Sequence, residues 1–184
     1  GDHRDLHLSL RRQRQMCIRD SAYPMHILAK ILSDGQSARI YRRLVYEQQV
    51  AVSAFGAGPI IEDPNLFYAV AVVQPGQSTD AAAEALIAEL DRAKAEPPTD
   101  QEIQRAKNQF ARDYVIGRIS NSDKASHLAH AHVIHDDITT ADGELDIFLN
   151  VSKADVQRVA QTYLRDDNRL VMTILPRGAG VGRR

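Results

Sequence analysis

A single cysteine, Cys17, is the only thiol in this 184-residue chain, so no internal disulfide can staple the fold, and the redox compartment stays open. Neither sign of charge dominates. Lysine and arginine number 23 against 24 aspartate and glutamate, a formal net charge of -1, so no global field draws nucleic acid or an anionic membrane. Long apolar runs are missing too. None approaches the roughly 20 residues that a bilayer-spanning helix needs, and no apolar block follows the first basic residues as a secretory signal would require. A soluble chain without a membrane span is expected, with bacterial periplasm and cytoplasm both open. Gly56, Gly58 and Gly76 are too isolated for a phosphate-cradling loop, and no internal repeat is visible. The basic run Leu8 to Arg19 lacks the interleaved aromatics of a nucleic-acid arm.

What is present fits one domain, long enough to bury about 70% of its unfolded surface. Residues 1-21 are set aside as a non-native or disordered segment. Met16-Cys17-Ile18-Arg19-Asp20 is what the mosaic-end DNA of a transposase adapter encodes in one reading frame, and Leu8 to Gln15 shows no core-forming pattern. Residues 22-176 form the folded unit and 177-184 a flexible tail with too little apolar content to fold.

From Ala22, Pro24 suits a first helical turn, and Met25, Leu28, Ile31 and Leu32 share one face. Gly35 stops that helix, and Ser37 is expected to cap the next, with Ile40 and Leu44 inward. Val50 to Gly58 reads as a strand of small residues, Pro59 to Asn65 as a turn around Glu62-Asp63-Pro64, and Leu66 to Gln74 as a strand apolar on both faces. Such a strand is covered on both sides or has its outer side covered by a partner domain. Ser78 or Thr79 caps a helix to about Ala95 with a stripe of Ala83, Leu86, Ile87 and Leu90, and Pro97-Pro98 breaks it. Thr99 and Glu102 form a capping box opening a helix that reaches Ile119. Further helices are expected to about His135, over Ala141 to Leu149, and from Ser152 with Val156, Val159 and Ala160 inward. Arg169 to Leu175 reads as a third strand ended by Pro176. Three strands with long helices between the second and third make an α+β fold, an antiparallel-type sheet layered with helices.

Ser33-Asp34-Gly35-Gln36-Ser37-Ala38-Arg39-Ile40-Tyr41-Arg42-Arg43-Leu44 resembles the helix-to-strand junction of the C-terminal domain in the pitrilysin/insulinase family of zinc metallopeptidases, whose mitochondrial-processing-peptidase-like members share this order. The resemblance runs over residues 22 to 176. It continues through the Pro75-Gly76 strand end, the Thr99 to Glu102 helix start with Ala106-Lys107, and the Val151-Ser152 element before the final strand. In such proteins a strand precedes the first helix. None is visible here, so the resemblance implies a domain truncated at its N-terminus, with an open edge or uncovered apolar face.

The family's zinc motif, His-x-x-Glu-His, supplies two imidazole ligands and the glutamate that takes a proton from the attacking water. It is absent: His26 is followed by Ile27-Leu28-Ala29-Lys30. The family's C-terminal domain contributes an arginine and a tyrosine that polarise the scissile carbonyl. The alignment places Val45 and Val52 there, and neither donates a hydrogen bond. Removing such donors costs about 10²-10³ in rate each, so no catalytic or metal-ligating residue is assigned to this chain, and alone it should be inactive. His127, His130, His132 and His135 scatter around a helix instead of converging as ligands, and Arg39, Arg42 and Arg43 are read as ion-pair partners. The resemblance implies the non-catalytic half of a zinc metalloendopeptidase. It would enclose a peptide substrate and pair with a zinc-bearing N-terminal domain of the same polypeptide, or with a paralogous subunit as a heterodimer. The alternative is an inactive scaffold subunit on the same fold.

Overall fold

The computed structural model describes residues 21-60 and 66-175. The 1-20 segment, the turn at Glu62-Asp63-Pro64, Pro176 and the tail lie outside the described residues. In chain order the elements are α1 (Tyr23–Ser33), a one-turn helix α2 (Arg39–Tyr41) that runs on as a wide π turn (Arg42–Glu47), β1 (Ala51–Ala57), β2 (Tyr68–Val73), α3 (Thr79–Ala95), α4 (Asp100–Ile116), α5 (Asn121–His135), α6 (Thr140–Asn150) and α7 (Lys153–Tyr163). A 3₁₀ turn at Asp166–Asn168 follows.

The core centres on α1, whose Ile27, Leu28, Ile31 and Leu32 are buried. Around it close β1, α4, α6 and α7. Tyr23 meets Phe148 of α6 edge-on at 4.8 Å between ring centroids, and Phe110 of α4 stacks on the same Phe148. Val156, Val159 and Ala160 of α7 are fully enclosed, as the 3.6-residue spacing requires. Side-chain caps start four helices: Ser78, Thr99, Ser120 and Ser152 each accept from the first-turn backbone, the last three as reciprocal capping boxes.

β1 and β2 pair antiparallel, Phe55 opposite Val70 and Ala57 opposite Tyr68, with a register shift between Ala51 and Ser53. Gly56 allows α1 to lie close. A Cβ there would sit 2.3 Å from the Tyr68 carbonyl oxygen and 3.2 Å from Ser33 Oγ. Gly35, at φ +83°, makes the turn out of α1 that a side chain would strain.

Four expectations need correction. Ser37 is not the cap of α2. Ala38 stands at that position, where its methyl has no acceptor to offer the first-turn amides, and its own amide closes on the Gly35 carbonyl at 3.1 Å. The α3 stripe is rotated: Ala82, Ala85, Glu89 and Ala93 are buried, while Leu86 and Leu90 pack at the margin of the core. Alanines let that helix approach its neighbours, so the larger residues slide to the edge. Helix α4 ends at Ile116, capped by Gly117. Arg169 to Leu175 is no strand. Leu170, Met172 and Ile174 are 84%, 73% and 84% exposed, and Val171 and Leu175, on the opposite row, are also open. The pattern is there without a neighbour to pair with among the described residues, leaving two strands where three were expected.

Candidate functional site

Cross-strand pairing, with the register shift between Ala51 and Ser53, decides what the two faces of the hairpin do. Ala51 and Ala54 of β1 point inward and are buried, and Ala69 and Ala71 of β2 pack against the same core. The opposite row pairs Ser53, Phe55 and Ala57 of β1 with Val72, Val70 and Tyr68 of β2, and Val52, Phe55, Tyr68, Val70 and Val72 are each between 37% and 49% exposed. All five are apolar or aromatic, and no described element covers them. A hairpin solvated on one face normally alternates apolar with polar. Contiguous apolar surface of this kind marks a place where another surface sits.

Val52 therefore lies on the open face of β1. Val45 lies in the wide turn, half-buried against the core. Neither carries a polar atom beyond the backbone, so the positions that the resemblance assigns to a carbonyl-polarising pair hold no donor side chain. Tyr46, next to Val45, gives its hydroxyl to Gln36 Oε1 at 3.2 Å and stacks edge-on with Tyr41.

The described histidines gather into no metal centre. His26 is a core residue: its Nδ1 donates to the Gly58 carbonyl at 3.1 Å, and its ring stands edge-on to Phe110 and Phe148. Burial pushes its pKa below the usual histidine value, with the Gly58 bond opposing. His127 is held by the Arg118 guanidinium, which also lies over the Tyr114 ring and reaches Glu144 Oε2 at 3.4 Å. Its Nε2 lies 3.1 Å from the Ala141 carbonyl. His130 lines a groove of about 400 Å³ with Asp123, Ser126 and Glu144. Among the described residues no three histidine, cysteine or carboxylate side chains gather as metal ligands. The donor set at hand does not fit a zinc ion.

The arginines of the family-like junction are all met by carboxylates. Arg39 grips Glu102 with Nε at 2.6 Å from Oε1 and Nη2 at 2.8 Å from Oε2. Arg43 pairs with Glu47 at 2.9 Å, and Arg42 reaches the same carboxylate at 3.8 Å. Sequence reasoning did not anticipate Glu89, 2% exposed on α3. Burial raises its pKa, and Arg92, 3.3 Å away, pulls the other way. The only signal was its place in a row of alanines at helical spacing.

Residues 19-110, half of the chain, match the family described as the Peptidase M16 inactive domain. The chain belongs to this family. A crystal structure of an inactive peptidase domain from Bordetella parapertussis superposes with a TM-score of 0.74 at 26% identity, covering 88% of this chain and 86% of that one. The zinc protease PqqE of Helicobacter pylori is 25% identical over 149 residues, 81% of this chain. A crystal structure of a protease from H. pylori gives a TM-score of 0.70 at 25% identity and 79% coverage of this chain. The chain spans about a third of those two H. pylori proteins, 33% and 35% of their lengths. The fold is thus that of an M16 inactive domain, and no described helix is long and apolar enough to cross a membrane.

Proposed function

We propose that residues 22-176 serve as the non-catalytic half of a zinc metalloendopeptidase, pairing with a zinc-bearing domain of the same polypeptide and helping to enclose a peptide between them. The observation that supports this best is the open sheet face of Val52, Phe55, Tyr68, Val70 and Val72. It is a mainly apolar wall, whose polar atoms are the hydroxyls of Tyr68 and Ser53. An unfolded peptide presents apolar side chains that such a wall can desolvate without committing to one sequence. Zinc and the proton-accepting glutamate would belong to the other half. Val45 and Val52 would leave carbonyl polarisation to that half or to a paralogous subunit.

The test separates the halves. Purified alone, the chain should carry no stoichiometric zinc by elemental analysis and should cleave no unfolded peptide. Supplied together with the zinc-bearing domain, it should yield chelator-sensitive cleavage and lose solvent access at Phe55 and Val70 by hydroxyl-radical footprinting. Peptide digestion by the chain alone, abolished by chelator, would overturn the reading. So would footprints on the sheet face that stay unchanged when the zinc-bearing domain is added.

A further inference from the structure

One carboxyl group of the fold is enclosed without the partners that its neighbours have. Glu89 stands on the buried row of α3 with Ala82, Ala85 and Ala93 and is 2% exposed. Its Oε1 is buried with no hydrogen-bond partner, and its Oε2 lies 3.3 Å from Arg92 Nη1. A carboxylate taken out of water needs paired charge and several donors to stay ionised. Buried polar atoms without partners are rare in folded proteins, so one placed in the middle of a helix contact needs a physical reason.

The cations around Glu89 are already taken. Helix α3 packs against the wide turn, β2, α2 and α7. The charges that act on Glu89 are Arg92 on its own helix, Arg39 on α2, and Arg43 and Glu47 in the wide turn. Arg92 is exposed and gives its Nε to Glu96 at 3.1 Å. Arg39 holds Glu102 through Nε and Nη2, and Arg43 holds Glu47 at 2.9 Å. From β2 the one titratable side chain is Tyr68, on the outer row. From α7 they are Lys153, paired with Asp100 at 2.6 Å, Asp155, held in the Ser152 capping box, and the exposed Arg158 and Tyr163. Each of the three guanidiniums that face Glu89 thus serves another carboxylate as well. Burial outweighs them and raises the Glu89 pKa above the usual 4.5.

We infer that Glu89 is a proton-controlled clamp: with its carboxyl neutral, α3 seats on the wide turn and on β2, and loss of the proton draws water to the side chain and lifts α3 locally. The sign is opposite to that of an ion-paired carboxylate. A carboxyl group whose folded pKa is raised stabilises fully below its usual 4.5, and the contribution is lost as pH rises through the folded value. The inference does not rest on the proposed pairing with a zinc-bearing half, since Glu89 acts within the chain.

The experiment follows the full chain, isotopically labelled for NMR, from about pH 4 to pH 8, the span over which a raised carboxyl group loses its proton. In wild type the Glu89 side-chain carboxyl carbon should titrate above the usual 4.5, a reading that needs no variant. Glu89→Gln keeps the shape and cannot ionise. In urea melts the stability gap should grow in favour of the glutamine chain as pH rises. The ratio of the two unfolding constants should climb by up to about tenfold for each pH unit between the usual value and the Glu89 midpoint, then level off. Amide exchange, corrected for its intrinsic pH dependence, locates the opening. Over residues 85-93 and 42-47 it should run ahead of the α1 core and quicken with pH in wild type, and lose that pH dependence in Glu89→Gln. A Glu89 carbon titrating at or below the usual value, a stability gap constant with pH, or α3 amides that exchange no faster than those of α1 would overturn the assignment.

Discussion

Glu102 is the carboxylate on which two helix starts converge, and replacing it tests how the domain is held. It accepts the Arg39 fork through both oxygens, and Oε2 also takes the Thr99 amide at 2.8 Å and the Thr99 hydroxyl at 3.0 Å. The Arg39 bond, and behind it the capping bonds, hold its pKa down to about 2. Glu102→Gln keeps the shape and removes the charge. A hydrogen bond to a charged group contributes about 1.5–3 kcal/mol net, and the carboxylate is only partly enclosed, so a loss of about 2 kcal/mol is expected after discounting for solvent. Glu102→Ala also removes the capping box, which adds about 1 kcal/mol. For a domain of this size each kcal/mol lowers Tm by about 2–4 °C, so the glutamine variant should melt about 4–8 °C lower. Linkage fixes the pH dependence. A carboxylate whose folded pKa lies below its usual 4.5 stabilises fully above that value, and the contribution fades as pH falls toward about 2. Urea melts of both chains from neutral pH down to about pH 3 should therefore converge. The reasoning is refuted if the gap stays constant over that range. It is also refuted if Glu102→Gln and Arg39→Met add to within about 0.5 kcal/mol in a double-mutant cycle, as independent sites do.

Three further outcomes are expected. His26, neutral and buried with its pKa lowered from 6.5, contributes stability that is complete above that value and declines as pH falls below it. Wild type should lose urea resistance below about pH 6.5, and a His26→Gln chain should show a shallower slope there. Gly56→Ala forces a methyl to within 2.3 Å of the Tyr68 carbonyl. It should cost about 1–3 kcal/mol or more by overpacking, seen as faster amide exchange across β1 and β2, whereas wild-type exchange rates would contradict the close approach. Val72→Lys, on the open sheet face, should leave stability within about 0.5 kcal/mol, as surface changes do. It should reduce binding of a hydrophobic dye, and a large stability loss would mean that this face is covered within the chain.

Where capping chemistry and periodicity agreed, the elements were legible. Ser78, Thr99 and Ser152 announce α3, α4 and α7 because their hydroxyls can satisfy first-turn amides that nothing else reaches. The buried Val156, Val159 and Ala160 follow from 3.6-residue spacing alone. The α2 start was not legible. Ser37 carries a capping side chain, but the turn that the Ala38 amide closes on the Gly35 carbonyl puts the helix start one residue on, at Ala38, which has no capping group. The partners of His26 were invisible for a different reason. Gly58 lies 32 residues away, and Phe110 and Phe148 lie on two other helices, so the pocket that neutralises the ring exists only after tertiary packing.

Binary pattern says which rows of a strand are apolar. It does not say whose surface covers them. β2 read as apolar on both sides, and both sides are. Its odd row, Ala69 and Ala71, rests on this chain's own core, and its even row, Tyr68, Val70 and Val72, faces outward. Arg169 to Leu175 poses the same problem more sharply, with Leu170, Met172 and Ile174 making one wholly apolar row, Val171 and Leu175 most of the other, and both open. Were either surface solvated in the working protein, polar residues would cost nothing there, and antiparallel hairpins with one wet face ordinarily use them. The outer row is mostly apolar: Val52, Phe55, Tyr68, Val70 and Val72 lie on it, with hydroxyls only at Tyr68 and at Ser53 opposite Val72. The pattern is that of a surface suited to being covered, and the proposed two-part enclosure would supply that cover.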